Sequence, residues 1–97
     1  MATLTYSRAA IEELDRLSQF LHENQPEEAE AAAGLIAEAL TVLRDHPLIG
    51  RPSEDGLHEL LISRGRTGYV ALYRYRESTD QVTVYRIRHK REVGYED

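Results

Sequence analysis

Residues 68–95, GYVALYRYRESTDQVTVYRIRHKREVGY, decide the fold of this 97-residue chain. They contain two runs rich in β-branched and aromatic side chains, residues 69–76 and 81–90, which are typical of strands. The polar residues 77–80 between them form a loop of a length that connects antiparallel neighbours. Neither run contains proline or an internal glycine, so both can lie inside a sheet. The stretch therefore predicts a β-hairpin of two long strands.

The residues before the hairpin predict a short strand followed by two helices. Residues 3–6 have the composition of a strand, and a strand this close to a terminus is ordered only if it pairs with a later one. Ser7 suits the N-cap of the first helix, and Pro26 suits the first position of the second, which ends before Pro47. The first helix has an apolar stripe at helical spacing: Ala10, Ile11, Leu14, Leu17, Phe20 and Leu21. The second helix has one apolar face: Ala29, Ala32, Ala33, Ile36, Leu40 and Leu43.

Glycine and proline interrupt residues 48–56, which are therefore predicted to form a loop. Residues 57–63 follow as a strand, and the apolar run Leu60-Leu61-Ile62 within it indicates burial on both faces. The resulting element order is β-α-α-β-β-β, without an internal repeat. We expect a single α+β domain over residues 1–97, in which a twisted, mostly antiparallel sheet carries the helical hairpin on one face.

The composition excludes several classes of protein. Hydrophobic residues make up 41% and charged residues 30% of the chain, as in an ordinary soluble globular domain. The chain has no cysteine, which excludes disulfides and cysteine-based metal sites or nucleophiles. Its four histidines lack the spacing of metal ligands, and we expect neither metal nor cofactor. No apolar run approaches the ~20 residues of a membrane span and no signal peptide is evident, so we expect a cytoplasmic protein without a membrane partner.

The net charge of −5 is divided unevenly along the chain. Residues 1–47 carry three basic and nine acidic side chains, a net charge of −6. Residues 58–91 carry eight basic and three acidic side chains, a net charge of +5. Such a division indicates that one face of the protein meets an anionic partner. Because a dedicated nucleic-acid-binding domain is more often basic overall, the acidic total favours a protein target.

Positive charge is concentrated at the end of the hairpin. We define the cationic rim as Arg86, Arg88, Lys90 and Arg91. Positions 86, 88 and 90 share one face of a regular strand, and a row of like charges repels itself unless an anionic partner binds. The structural alternative is a row that lies in solvent or pairs with acidic side chains of the helices, each pair contributing ~0–1 kcal/mol. His89 is predicted on the opposite face, on the side of Tyr85 and Ile87, either as a half-buried structural residue or as a general base.

Short motifs in the chain resemble the RelE/ParE superfamily of bacterial toxins from type II toxin–antitoxin modules. They are His46-Pro47 and Gly50-Arg51-Pro52 after the second helix, Gly68-Tyr69 at the start of the hairpin, and YRIRHKR at residues 85–91. The resemblance covers the whole chain, and it is strongest to ParE-like plasmid-stabilisation proteins. It implies the same β-α-α-β-β-β fold that the residues predict.

The superfamily implies two mechanisms on one fold. ParE-like members inhibit DNA gyrase by binding and stabilising its cleaved-DNA complex, whereas RelE-like members are ribosome-dependent ribonucleases that cut mRNA. Both kinds are neutralised by an antitoxin, which for the ParE-like branch is a ParD-like ribbon-helix-helix protein. The resemblance also implies that the toxin reaches operator DNA only through that antitoxin.

The residue types at the superfamily's catalytic positions distinguish these mechanisms. The resemblance implies that RelE-like enzymes use lysines on the strand after the helices and an arginine just after Gly-Tyr. This chain has HELLI at residues 58–62, without lysine, and Val70 after Tyr69. We therefore predict a ParE-like toxin without catalytic residues. Its predicted target-binding residues are Arg86, Arg88, Lys90, Arg91 and Tyr95. The alternative is a RelE-type mRNA endonuclease that uses Arg91 and Tyr95, or His89.

Overall fold

The computed structural model describes residues 1–64 and 67–89, which form two helices and a five-stranded sheet. In chain order the elements are β1 (Thr3–Tyr6), α1 (Arg8–Asn24), α2 (Pro26–Asp45), β2 (Arg51–Pro52), β3 (His58–Arg64), β4 (Thr67–Arg76) and β5 (Gln81–His89). The strands lie side by side in the order β1-β5-β4-β3-β2. Neighbouring strands are antiparallel except for β1 and β5, which are parallel. The α+β architecture predicted from the sequence is confirmed.

The hairpin of β4 and β5 forms the centre of the sheet. Arg76 pairs with Gln81 across a short 3-10 turn, Glu77–Thr79, which is followed by Asp80. Asp80 has a left-handed backbone, with φ 49° and ψ 53°, a conformation that aspartate adopts more readily than most residues. Its carboxylate accepts a hydrogen bond from the Tyr75 hydroxyl at 2.8 Å. A side chain of the predicted four-residue loop is therefore tied to β4.

The N-terminal segment is held against both the sheet and α2. The Ala2 N–H donates a hydrogen bond to the Arg44 carbonyl oxygen near the end of α2, at 2.7 Å, and β1 then pairs with β5. Ser7 caps α1, since its hydroxyl oxygen accepts a hydrogen bond from the Ala10 N–H at 3.0 Å. Pro26 begins α2. The predicted pairing of the terminal strand, the N-cap and the start of the second helix are all confirmed.

The core lies between the helices and one face of the sheet. Its buried residues from these elements are Ala10, Leu21, Ala29, Ala32, Ile36, Leu40, Leu43, Ile62, Tyr69, Ala71, Tyr73, Val82, Val84 and Ile87. The predicted stripes supply the helical part of this core. Leu14 and Leu17 are partly buried and pack against it, and three other members of the stripes are exposed. Ile11 and Phe20 are each 56% exposed, and Ala33 is exposed as well. Each is one residue away from a buried position, and one residue turns a helix by about 100°.

The prediction that β3 is buried on both faces is wrong. Ile62 is buried on the helix side, whereas the adjacent Leu61 is 46% exposed on the other side. Within the described residues, both helices pack into the same core cluster, so the second face of β3 has no helix against it. The apolar run identified a strand correctly, but composition alone does not show how many faces of a sheet are covered.

The segment predicted as a loop, residues 48–56, also contains β2, which pairs with β3. Gly50, just before β2, lies directly against Tyr73. Its N–H donates a hydrogen bond to the buried Tyr73 hydroxyl at 2.8 Å. A β-carbon on Gly50 would lie 2.7 Å from the Tyr73 ring and 2.8 Å from the Glu59 carbonyl oxygen. Burial raises the pKa of the Tyr73 phenol, which the hydrogen bond from Gly50 opposes only in part.

Candidate functional site

A β-bulge in β5 sets the direction of its charged side chains. Val84 and Arg86 pair with consecutive residues of β4, so Tyr85 is an extra residue in β5. Buried side chains lie at even positions before the bulge, Val82 and Val84, and at an odd position after it, Ile87. Strict alternation from the two valines would direct Arg86 into the core. The bulge therefore keeps the arginines of the rim out of the core.

Arg86 and Arg88 lie on the outer face, which we define as the side of the sheet away from the helices. Their partners on β4, Leu72 and Val70, alternate with the core residue Ala71. The exposed fraction of the side chain is 44% for Arg86 and 32% for Arg88. The predicted shared face is confirmed for these two members of the cationic rim. The other predicted target-binding residues lie outside the described part of the chain: Lys90, Arg91 and Tyr95.

A carboxylate from α1 joins the two arginines. Glu13 Oε2 lies 2.9 Å from Arg86 Nη2, and Arg86 Nε lies 3.1 Å from Glu13 Oε1. Arg88 Nε lies 3.9 Å from Glu13 Oε2. The Ile87 N–H, between the two arginines, donates a hydrogen bond to Glu13 Oε1 at 2.9 Å. One side chain thus binds three consecutive residues of β5.

The electrostatics of Glu13 follow from this geometry. The side chain is only 11% exposed, and burial by itself raises the pKa of a carboxyl group. The hydrogen bonds from Arg86 and from the Ile87 N–H, together with the charges of Arg86 and Arg88, outweigh burial. The pKa of Glu13 is therefore below its ordinary value, and the carboxylate is ionised at neutral pH.

Side chains of α1 continue the edge of the sheet where β1 ends. The Ser7 N–H donates to the Val84 carbonyl oxygen at 2.9 Å, and the Ser7 hydroxyl donates to the Tyr85 carbonyl oxygen at 2.8 Å. Glu13 then accepts from Ile87, two residues further along β5. Buried or edge backbone groups require hydrogen-bond partners, and here serine and glutamate supply the partners that a neighbouring strand would otherwise supply.

Sequence reasoning missed both Glu13 and the bulge. The sequence pattern gave Glu13 no role, and the prediction for the last strand assumed regular alternation. The sequence did contain a sign of the bulge. Its aliphatic residues occupy even positions, 82 and 84, and then an odd position, 87, which a regular strand with one buried face would not show. Glu13 had none, since it is 73 residues away from Arg86 in the chain. For Arg86 and Arg88, the structure shows the pairing with a helix carboxylate that was the structural alternative.

His89 lies on the face opposite to the two arginines. It pairs with Tyr69 across β4 and β5, and its ring meets the Tyr69 ring edge to face, with centroids 5.7 Å apart at 86°. Tyr69 is 4% exposed and belongs to the core. The predicted position of His89 beside Ile87 is confirmed. The prediction that Tyr85 shares this face assumed regular alternation, whereas Tyr85 is the bulge residue and is 36% exposed. The side chains of His89 and of the two arginines thus leave β5 on opposite faces of the sheet.

The residues at which the resemblance implied catalytic lysine or arginine side chains make other contacts in this chain. His58 stacks on Tyr73 with ring centroids 5.5 Å apart, and Glu59 pairs with Arg51 at 3.0 Å. Val70, which follows Gly68-Tyr69, is completely buried. Among the described residues, no three acidic or histidine side chains cluster as metal ligands. Neither described helix combines the length and hydropathy that a membrane span needs.

An apolar cleft lies between α1 and α2, on the other side of the molecule from the outer face. Its volume is about 270 Å³. It is lined by Tyr6, Leu14, Leu17, Ser18, Leu21, Ala29, Ala33, Ile36, Ala37 and Leu40. The small side chains of α2 keep the cleft open, and Ala33 is exposed at its surface. Aliphatic walls with few polar groups suit the apolar side of an amphipathic segment.

Comparisons with known proteins find toxins with ParE and RelE names. Residues 4–94 match the family described as ParE toxin of type II toxin-antitoxin system, parDE. Toxin RelE3 of Caulobacter vibrioides is 33% identical over 92 residues, which cover 95% of this chain and 98% of that protein.

Solved structures share the fold. A chain from the chromosomal ParDE toxin–antitoxin system of P. aeruginosa aligns with a TM-score of 0.74 and 27% identity, covering 91% of this chain and 95% of that chain. A chain of the intact E. coli RelBE toxin–antitoxin complex has a TM-score of 0.62 at 14% identity, with the same coverage of both chains. The second likeness concerns the fold alone. From the family match and the 33% identical relative, this chain belongs to the ParE toxin family of type II toxin–antitoxin systems, within the RelE/ParE superfamily.

Proposed function

We propose that this toxin acts on DNA gyrase, binding the enzyme and stabilising its cleaved-DNA complex without itself breaking a bond. The observation that carries this proposal is that the side chains of Arg86 and Arg88 leave β5 on the face opposite to His89. The outer face offers ionic binding through guanidinium groups, which form paired hydrogen bonds with carboxylates and phosphates. The imidazole, the usual proton-transfer group at neutral pH, lies on the other side.

The chemistry of RNA cleavage supports the same choice. Cleavage without a metal needs a base for the 2′-hydroxyl, an acid for the leaving oxygen and cations on the same phosphate. The carboxylate that lies beside Arg86 and Arg88 is Glu13, whose lowered pKa makes it a weak base at neutral pH. Arginine stays protonated and cannot act as a base. Beside Arg86 and Arg88 the outer face thus provides charge, while the neighbouring carboxylate is poorly suited to accept a proton.

A supercoiling assay with purified gyrase tests the proposal. The toxin is expected to reduce supercoiling and to increase the amount of linear DNA recovered after detergent and protease treatment. A toxin carrying both Arg86→Ala and Arg88→Ala serves as the weakened comparison. Gyrase that supercoils normally at micromolar toxin, with no trapped cleavage product, contradicts the proposal.

The proposal includes an antitoxin of the ParD type as the neutralising partner. The P. aeruginosa structure comes from a ParDE system and the E. coli structure from a RelBE complex, so their folds occur together with antitoxins. In this chain, the cleft between α1 and α2 has the apolar lining that an amphipathic antitoxin segment needs. Operator DNA is bound through this partner, since the toxin itself has a net charge of −5.

Ribosome-dependent mRNA cleavage is the second candidate. It is favoured by the identity of 33% to a protein named Toxin RelE3. This mechanism would use Arg91 and Tyr95, which lie outside the described residues, or His89. Primer extension on mRNA from translating ribosomes distinguishes the candidates, because cleavage at fixed codon positions is expected only from the ribonuclease. Intact transcripts together with inhibited gyrase support the first candidate.

A further inference from the structure

We propose that Glu13 is a positioning residue of the target-binding surface: it holds Arg86 and Arg88 in the orientation in which they meet the target and does not itself contact the target. The inference rests on the proposed function, because it assumes that these arginines bind an anionic surface. It assigns a role to a residue of the acidic helical half, whose sequence position gives no indication of one.

The geometry of Glu13 is that of a support for other side chains. Its two carboxylate oxygens bind Arg86 through Nε and Nη2, at 2.9–3.2 Å, which fixes the plane of the guanidinium group. Its side chain is 11% exposed, so it offers little surface to a partner. Arg86 remains 44% exposed while it is bound, so a partner can still reach it.

The third bond of Glu13 extends its effect to the backbone. By accepting from the Ile87 N–H, Glu13 fixes the segment of β5 that carries both arginines and leads into residues 90–97. Beyond Tyr6, β1 no longer pairs with this segment. A long arginine side chain loses much rotamer freedom on binding, and ordering it beforehand reduces the entropic cost of association. Glu13 therefore preorganises both the side chains and the strand end.

The opposite effect of Glu13 would be competition with the target for the arginines. In that case its removal would strengthen binding, whereas a positioning role predicts that its removal weakens binding. The sign of the change therefore decides between the two roles, and a substitution that preserves the fold can measure it.

The test compares Glu13→Gln and Glu13→Ala with the wild-type toxin, and Glu12→Gln serves as the matched control. Glu12 is the adjacent, exposed carboxylate on α1, so the control makes the same change of charge. Glutamine at position 13 keeps an oxygen acceptor for the Ile87 N–H but loses the ionic fork to Arg86. We expect Glu13→Gln to raise the inhibitory concentration in the gyrase assay by about tenfold, Glu13→Ala to raise it further, and Glu12→Gln to leave it unchanged.

A double variant shows whether Glu13 acts through the arginine. In an Arg86→Ala background, Glu13→Gln is expected to cause little further loss, because the two residues act as one unit. The NMR signal of the Arg86 Nε–H group gives a second readout in the isolated toxin. It should be resolved in the wild type and in Glu12→Gln, and it should broaden or move to the free-arginine position in Glu13→Gln.

Several outcomes overturn the inference. Stronger or unchanged inhibition by folded Glu13→Gln excludes positioning, and so does a loss that simply adds to that of Arg86→Ala. Failure of the proposed function is a separate result, because the wild type itself would then leave gyrase unaffected. In that event growth arrest of the host, measured for the same variants, tests whether Glu13 supports the toxic surface whatever the target is.

Discussion

Glu13 illustrates how one side chain can serve the fold and the candidate site together. Its carboxylate satisfies an edge N–H of β5 and neutralises part of the charge of Arg86 and Arg88. Isolated surface ion pairs contribute little to stability, but this carboxylate is mostly buried and has several partners. Breaking such a cluster at one member leaves buried charge without compensation, which is costly.

The stability of the protein should depend on the ionisation of Glu13. Because the folded-state pKa is below the ordinary carboxyl value of 4.5, the stabilisation is complete above pH 4.5 and is lost as pH falls through the lowered pKa. Urea unfolding of the wild type and of Glu13→Gln is therefore expected to show a difference at pH 7 that shrinks below pH 4.5. The other carboxyl groups titrate in both proteins, so their contributions cancel in the difference between the two unfolding free energies. A difference that stays constant down to pH 3 contradicts this prediction.

Gly50 is required by the close approach of Tyr73. In Gly50→Ala the new β-carbon would lie 2.7 Å from the Tyr73 ring, and a backbone carbonyl closes the other side. We expect a loss of ~1–3 kcal/mol in the free energy of unfolding, as for overpacking in a core. Chemical denaturation measures it. Tyr73→Phe is the companion variant. It introduces no β-carbon at position 50 and removes only the hydroxyl oxygen that accepts the hydrogen bond from the buried Gly50 N–H. Wild-type stability of Gly50→Ala would show that the segment before β2 can move.

At the scale of elements, α1 covers the sheet in two ways. Its apolar side packs on the core, and its Ser7 and Glu13 side chains extend the edge that β1 leaves open. The bulge at Tyr85 completes this arrangement, because it allows the valines before it to face the core while Arg86 faces outward. The carboxyl end of β5 is therefore shaped by α1 and by the bulge rather than by a neighbouring strand.

Helix α2 contains a position where stability can be increased without changing contacts. Gly34 lies in the middle of α2, and a β-carbon there would meet no atom within 4 Å. Glycine is unfavourable in helix interiors, so Gly34→Ala is expected to stabilise the protein by ~0.5–1 kcal/mol. Thermal unfolding followed by circular dichroism checks the direction. A lower melting temperature would show that the neighbouring part of the cleft does not tolerate a methyl group.

At the scale of the whole molecule, charge and apolar surface are separated. The acidic residues are concentrated in the helical half, Arg86 and Arg88 lie on the outer face of the sheet, and the apolar cleft lies between the helices. A protein with this arrangement can bind two partners through two surfaces. Variants of one surface should therefore leave the other partner's binding unchanged.

The outer face is tested by removing its arginines. Arg86→Ala combined with Arg88→Ala is expected to raise the inhibitory concentration against gyrase by about tenfold or more, because arginine is enriched among the few residues that dominate the binding energy of an interface. Arg76→Ala, an exposed arginine at the other end of the same hairpin, is the control. The double change leaves the Glu13 carboxylate without its cations, which could destabilise the fold. A triple variant that also carries Glu13→Gln removes this unpaired charge, so that any remaining loss of inhibition reflects binding rather than folding. Full activity of the folded triple variant would exclude this surface.

The cleft is tested by filling it. Ala33→Arg places a long side chain at the surface of the cleft, on a helix that accommodates arginine well. We expect antitoxin affinity, measured by calorimetry, to fall by about tenfold or more, while gyrase inhibition is retained. Ala31→Arg makes the same change at an exposed position of α2 outside the cleft lining and should be neutral. Equal effects of the two variants would indicate charge repulsion rather than occupation of the cleft.

The sequence by itself determined the elements and their order. Hydrophobic periodicity, helix caps and turn residues depend only on residues that are close together in the chain. The start of each helix, at Ser7 and Pro26, and the loop 77–80 could therefore be predicted from the sequence. Local pattern likewise put Arg86 and Arg88 on one face and His89 on the other. These predictions needed no knowledge of which elements meet.

Only the tertiary structure decided which faces are covered and which charges are joined. Leu61 is exposed because both helices pack into a core on the other side of the sheet, a fact that the apolar run at residues 60–62 does not contain. Glu13 meets Arg86 because the parallel pairing of β1 with β5 brings the start of α1 to the end of the last strand. Contacts between residues more than 70 positions apart depend on the packing of whole elements, and local sequence pattern does not encode that packing.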